Sequence, residues 1–300
     1  MRENPTLRRH ARLPARAAGF PIVMTLAVAF LAGLRAPVAR CEDKPAAAPQ
    51  LPRGVTMHRD VPYVPDGDEA QKLDIYMPET PPDRPLPLIV HIHGGGWMGG
   101  SKFPCPVVAM VARGYVVASI EYRFSQKALF PAQIQDCQAA IRWLRANRDR
   151  YGIDPDRVGV VGGSAGGHLS ALVGTAGGKG AFPAIGGNED QSDRVQAVCD
   201  IYGPTNFRSV MRQAAEDKNV KNIFTFNAQG DPYSRLIGTS LEGDAATIDN
   251  VSPVHYVSEE CPPTLILHGT HDALGPYAQS EEFAAALRKH GVPVWLQTLP

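Results

Sequence analysis

The chemistry of this 300-residue chain starts at Gly162-Gly163-Ser164-Ala165-Gly166-Gly167. The run follows an apolar, β-branched stretch, Val158–Val161, and opens a stretch of helical pattern. A serine on a sharp strand-to-helix turn projects its hydroxyl above the sheet. Glycines two before and two after it remove Cβ atoms that would collide across the turn. The helix N-terminus behind it favours developing negative charge. Ser164 is the candidate nucleophile for acyl transfer.

Two further runs supply what such a nucleophile needs. The apolar stretch Leu88–His93 leads into Gly94-Gly95-Gly96-Trp97. Consecutive glycines after a strand can turn backbone N–H groups into a cavity, and a tetrahedral intermediate needs two or three donors around its oxyanion. Gly95 and Gly96 are assigned as two donors and the Ala165 amide as the third, with His93 and Gly94 supporting the loop. His91 and His93 share a strand face and would begin a metal site, but no carboxylate or third histidine lies nearby in sequence to complete one. The third run is Thr264-Leu-Ile-Leu-His268-Gly269-Thr270-His271-Asp272. Asp272 falls just past the carboxyl end of a strand, where open α/β sheets place functional groups. It would orient a base histidine and stabilise the imidazolium.

The elements that must position these residues alternate. Strands are expected at Lys72–Tyr76, Leu88–His93, Tyr115–Glu121, Val158–Gly162, Val195–Tyr202, Thr264–His268 and Pro293–Leu299. Several are continuous apolar runs, as in parallel strands covered on both faces. Helices are expected at Ala132–Arg148, where Ile134, Cys137, Ile141 and Leu144 recur at helical spacing, and at Ala165–Val173 and Ser280–His290. This implies an α/β fold with a mostly parallel sheet and helices on both faces. Residues 205–258 carry scattered aromatics (Phe207, Phe224, Phe226, Tyr233, Tyr256) without strand pattern. They read as a lid-like insertion over the active face, or as plain helical packing.

The chain resembles the α/β-hydrolase esterases, in particular the hormone-sensitive-lipase-like group and the bacterial feruloyl/acetyl esterase-like (BD-FAE-like) enzymes. The matching residues are His93-Gly-Gly-Gly-Trp97, Tyr122-Arg123, Phe130-Pro-Ala-Gln133, Gly152-Ile-Asp-Pro155, Gly162-Gly-Ser-Ala-Gly-Gly167, Ser252-Pro253 and His268-Gly-Thr-His-Asp272. The resemblance runs from roughly residue 55 to 300. It implies an α/β-hydrolase fold and hydrolysis of carboxylic esters through an acyl-enzyme, without a cofactor or metal. It also implies a base histidine in the loop after the last strand, which is expected beyond Pro300. None of the nine histidines present takes that place, and His168, one helical turn past Ser164, is expected to pack against the domain. Rival readings are a catalytically impaired secreted binding protein on the same fold and a serine peptidase of that fold.

The N-terminus reads as an address. Residues 2–16 are basic and Phe20–Leu34 almost wholly apolar, the n- and h-regions of a secretory signal over 1–40. An uncleaved N-terminal anchor and a mis-called start codon are the other readings. Residues 41–53 are a Pro/Ala-rich linker, and 54–300 form the catalytic domain. The formal charge is zero, but residues 1–40 hold seven arginines and one acid, which leaves 23 bases against 29 acids in the body. That acidic balance disfavours nucleic acid. The expected partner is a small-molecule or polysaccharide-linked ester, met after export, with no stable membrane span once the signal is removed. Five sparse cysteines make no disulfide scaffold, and Cys137 and Cys199 read as buried free thiols.

Overall fold

The computed structural model describes residues 51–221 and 230–300. The expected N-terminal signal, most of the expected linker, Cys41, Phe224 and Phe226 lie outside the described residues.

Eight strands form one sheet in the order β1-β2-β4-β3-β5-β6-β7-β8. They are β1 (Val55–Pro62), β2 (Lys72–Pro78), β3 (Leu86–Ile92), β4 (Val116–Ile120), β5 (Ile153–Gly163), β6 (Ala197–Ile201), β7 (Thr264–Gly269) and β8 (Val294–Leu299). β2 pairs antiparallel with both β1 and β4, and the six strands β3 to β8 run parallel. From β3 the chain builds outward first through β4 and then, in the opposite direction, through β5 to β8. The crevice between the carboxyl ends of β3 and β5 is therefore the topological switch point, where sheets of this kind bind ligands. This is the α/β-hydrolase fold.

β1 has no counterpart in the expected strands. It is a half-exposed edge strand carrying His58, Arg59 and Asp60, so no apolar run marks it. Its register slips between His58 and Val61, with Asp60 at φ 53°. The expected strand Val195–Tyr202 contracts to β6, because Tyr202 turns into the left-handed region at φ 46°.

The helices are α1 (Ala132–Ala146), α2 (Arg148–Tyr151), α3 (Ala165–Ala176), α4 (Val210–Glu216), α5 (Pro232–Ile237), α6 (Ala245–Val251) and α7 (Ala278–Lys289). The expected stripe of α1 is buried: Ile134, Cys137, Ile141 and Leu144 are fully enclosed. The expectation of helices on both faces is met asymmetrically. α1 and α3 pack with Val90, Val160 and Val198 on one face, and α7 packs on Ile266 and against Ala171 of α3 on the same side. The opposite face is covered over Tyr76, Ile89 and Val117 by a 3₁₀ helix, Val108–Arg113, and its neighbours. Beyond it an apolar groove of about 600 Å³ crosses β5, β6 and β7, including Val161, Cys199 and Leu265. At its far side Trp295 of β8 is 59% exposed. Cys199 lies in this groove, so it is half-buried where full burial was expected; Cys105, Cys137 and Cys261 are buried, and all four are free thiols.

The described residues within 205–258 form α4, α5, α6 and a 3₁₀ turn at Pro253–Tyr256. Their start is fastened to α7 by buried polar groups. Gln279 Oε1 accepts the N–H groups of Thr205 and Asn206, each at 2.8 Å. Gln279 Nε2 donates to Ser209 Oγ at 3.0 Å and to Gln213 Oε1 at 2.5 Å.

Helix α3 leaves the sheet through a gap that admits no side chain. A Cβ on Gly166 would lie 2.1 Å from the Ile92 carbonyl oxygen. Because that neighbour is backbone, Gly166→Ala is expected to destabilise the domain by roughly 1–3 kcal/mol or more. Gly269→Ala, whose Cβ would meet only the Leu299 carbonyl oxygen at 4.0 Å, is expected to stay within ~0.5 kcal/mol of the parent. Urea unfolding of the two variants checks the contrast.

Candidate active site

Ser164 sits between β5 and α3 with φ 57° and ψ −122°. That sparsely populated conformation is held at both ends. Ser164 N–H donates to the Ile201 carbonyl and its own carbonyl accepts His168 N–H, both at 2.9 Å. The side chain is exposed.

The glycine loop after β3 lies directly on this turn. A Cβ on Gly94 would meet the Gly163 carbonyl at 2.7 Å. Gly95 has φ 114°, and a side chain there would run into the Gly99 carbonyl at 2.1 Å. The loop then closes on itself: Met98 and Gly99 N–H both donate to the Gly95 carbonyl at 3.1 Å. His93 braces it from behind. Its Nδ1 lies 2.7 Å from the Gly94 carbonyl oxygen and its Nε2 2.5 Å from Glu121 Oε1. A trans peptide points its C=O and N–H in opposite directions. Holding the Gly94 oxygen from one side thus orients the Gly95 N–H toward the other. Ala165 is the first residue of α3, so its N–H has no partner within the helix.

His91 of β3 and His93 just beyond it are tied into the protein, His93 through both ring nitrogens and His91 through Nδ1. His91 Nδ1 donates to Ser119 Oγ at 2.8 Å, and Ser119 Oγ donates to the Lys102 carbonyl at 2.7 Å. Among the described residues no group of three His, Cys, Asp or Glu side chains is arranged to hold a metal ion.

Asp272 follows β7 and accepts the N–H groups of Leu274 at 2.7 Å and Gly275 at 2.9 Å on Oδ1. Its Oδ2 is 3.5 Å from His268 Nε2. Burial works to raise this carboxyl, but the His268 ring and the two backbone donors outweigh it and hold Asp272 below the ordinary carboxylate range. Ser164, Gly95, Gly96, His268 and Asp272 line one cavity of about 580 Å³. Its walls are mostly apolar: Trp97, Met98, Tyr202, Pro232, Tyr233, Leu274 and Pro276. His268 shares the cavity, yet both its nitrogens are engaged, Nδ1 with Ser280 Oγ at 2.7 Å and Nε2 with Asp272 and the Gly275 carbonyl. It is a buried strand residue, as its place in the sequence implies.

The comparisons with known proteins agree with this geometry. The BD-FAE family model matches residues 73–287. The chain belongs to the BD-FAE family. It is 36% identical over 236 residues to the esterase LipQ of Mycobacterium tuberculosis, covering 77% of this chain and 53% of that protein. Over 154 residues it is 37% identical to the carboxylesterase NlhH of the same organism, covering 50% and 47%. The chain thus spans about half the length of the curated relatives it matches. Among solved structures it is similar to a truncated carbohydrate esterase from gut microbiota (TM-score 0.68, 29% identity, covering 82% of this chain and 87% of that one). It is also similar to an acetyl ester-xyloside bifunctional hydrolase from Caldicellulosiruptor lactoaceticus (TM-score 0.64, 29% identity, covering 84% and 88%).

Several residues of this BD-FAE site carried no advance signal. Tyr202 stands against the elbow: a Cβ on Gly163 would touch its hydroxyl at 3.1 Å. Glu121 closes the brace behind Gly94, although its only local mark is its place beside Tyr122-Arg123. Tyr233, by contrast, is one of the aromatics expected over the active face, and it reaches the cavity from α5 together with Pro232, the helix start being marked by Asp231 capping the N–H groups of Tyr233 and Ser234.

Three buried groups give the region a pH dependence. Burial pulls His91 and His168 down to about 4, so the fold favours their neutral forms. Their contribution is present above the ordinary histidine range and is lost as the pH falls from about 6.5 toward 4. Asp200, at the end of β6, behaves in the opposite sense. Burial pushes its carboxyl up to about 7, although Gly203 N–H and His268 act against the shift. Its Oδ1 accepts from Gly203 at 2.9 Å while Oδ2 is buried without a partner. The folded state holds this proton more tightly than the unfolded chain, so the wild type loses stability as pH rises from about 4 through 7. Asp200→Asn keeps the acceptor and cannot ionise. Its Tm is therefore expected to gain on that of the wild type steadily between pH 5 and pH 8, as read by calorimetry.

Proposed function

We propose that this protein is a serine carboxylic ester hydrolase that works through an acyl-enzyme. The observation that carries the reading is the convergence of Ser164, the Gly94–Trp97 loop and Asp272 on one apolar cavity at the switch point of the sheet. The naming of the relatives as esterases and carboxylesterases supports it. Ser164 Oγ attacks the ester carbonyl and gives up its proton to a histidine base. The N–H groups of Gly95, Gly96 and Ala165 hold the oxyanion. The base returns the proton to the departing alcohol, and water then hydrolyses the acyl-enzyme.

The resemblance implies a base histidine from a loop after β8. The geometry supports that place. β8 ends beside the loop that carries Asp272, and Thr270 N–H donates to the Leu299 carbonyl at 2.8 Å. A loop leaving β8 therefore starts next to the carboxylate that would orient its histidine.

The substrate is read as an ester of a short acyl group, on a small alcohol or on a polysaccharide. The mostly apolar walls suit an acyl chain, and two similar structures are a carbohydrate esterase and an acetyl ester-xyloside hydrolase. The basic and then apolar N-terminus supports export, where such polymers are met.

Ser164→Ala is expected to cut kcat on p-nitrophenyl acetate by roughly a thousandfold or more. Asp272→Asn is expected to lose on the order of a thousandfold or more as well. A fluorophosphonate should mark Ser164 in the wild type, as seen by mass spectrometry. Near-normal turnover in Ser164→Ala would overturn the reading. Release of acetate from acetylated xylan tests the polysaccharide assignment separately.

A further inference from the structure

His168 is enclosed on all sides and takes no direct part in the acyl-transfer scheme, yet its ring joins three parts of the molecule. The Trp97 indole N–H donates to His168 Nδ1 at 3.1 Å. An indole N–H is a donor only, so Nδ1 is bare and the ring proton resides on Nε2. Nε2 then donates to the Val251 carbonyl at 2.7 Å. Burial, which pulls the ring down to about 4 against the Val251 bond, favours this neutral form.

Each of the three parts matters to the cavity. His168 lies on α3, one turn beyond Ser164, and its N–H closes the first turn on the Ser164 carbonyl. Trp97 ends the glycine loop and lines the cavity beside Gly95 and Gly96. It holds φ 57°, an uncommon conformation for a bulky residue. Val251 is the last residue of α6, near the end of the inserted segment. The start of that segment reaches the same spot: Phe207 packs its ring 5.2 Å from His168 and 5.8 Å from Trp97. Tyr233 of α5 completes the cluster, 5.4 Å from Trp97.

We propose that His168 is a positioning residue that ties the seating of α6 and Phe207 to the conformation of the loop carrying the oxyanion donors. One ring serves as acceptor for Trp97 and donor for Val251, so neither contact shifts without the other. A displaced α6 removes the partner that fixes the Nε2–H tautomer, and the other tautomer places a proton on Nδ1 against the indole N–H. The effect on turnover rests on the acyl-transfer reading above; the tie between His168 and Trp97 does not.

The test compares His168→Leu, which removes both bonds, with His168→Gln, whose amide offers one acceptor and one donor. The first readout is the Trp97 indole N–H resonance in ¹⁵N-labelled protein, assigned by its loss in Trp97→Phe and compared with Trp143 and Trp295. It is expected to shift and exchange faster in His168→Leu and to return toward its original position in His168→Gln. The second readout is ester turnover. His168→Leu is expected to lower kcat about tenfold, with KM within about twofold, and His168→Gln to recover most of it. Trp97→Phe supplies the same kinetic comparison from the other partner if His168→Leu does not fold. An indole resonance that ignores His168→Leu overturns the tie itself. An indole that responds while kcat holds in both His168→Leu and Trp97→Phe overturns the positioning role. Loss of serine dependence in Ser164→Ala would instead remove the acyl-transfer reading and leave the indole result to judge the tie.

Discussion

The first turn of α3 passes between two strand ends at distances that backbone alone can tolerate. On one side Gly166 stands over the Ile92 carbonyl of β3. On the other, Cβ atoms on Gly167 and Gly203 would meet Asp200 Oδ1 and the His168 amide nitrogen, each at 2.4 Å. The nucleophile's helix is thereby wedged at the switch point, and the rest of the site follows from it. Ser164 is forced into its strained turn because the helix must start there. The glycine loop must fold over Gly163 because no space remains between β3 and the elbow. The strain at Ser164 is offset by the packing of α3, whose residues from Leu169 to Val173 are fully enclosed.

Electrostatics near the elbow follow a second rule: charge is kept off the sheet interior. His91 and His168 are neutral, and Asp200 is held toward its protonated form by burial. The carboxylate on the cavity wall, Asp272, is kept ionised against its burial by the His268 ring and by backbone donors in its own turn. Such a division leaves developing negative charge at Ser164 facing dipoles and N–H groups rather than fixed anions buried beneath it.

Much of this was legible in the sequence because it rests on local signals. The elbow glycines, the Gly94–Trp97 run and Asp272 each sit at a strand end that hydrophobic runs mark, and α1 declares itself through Ile134, Cys137, Ile141 and Leu144. What was hidden is long-range. β1 earns its place by pairing with β2, not by its own half-exposed pattern. The Glu121–His93 brace joins residues 28 apart. His168, expected simply to pack, is defined by Trp97 and Val251, 71 and 83 positions away. Helices on both faces were inferred from strand–helix alternation, which cannot tell on which side a crossover lands.

The buried amide of Gln279 also says how the cavity is entered. It fixes the main chain at Thr205 and Asn206 and the side chains of Ser209 and Gln213, and Lys221 N–H is further held by the Ala273 carbonyl at 3.0 Å. Residues 205–217 thus back the cavity wall formed by Gly203, Pro204 and Gln279 and belong to the same cooperative unit as α7, and swinging them aside would expose several hydrogen-bonded groups at once. The rim instead includes Leu274, a side chain 49% exposed. Association with such a preformed cleft is governed by diffusion to that rim and by how well an incoming group wets or dries it, with no opening of this wall to precede capture.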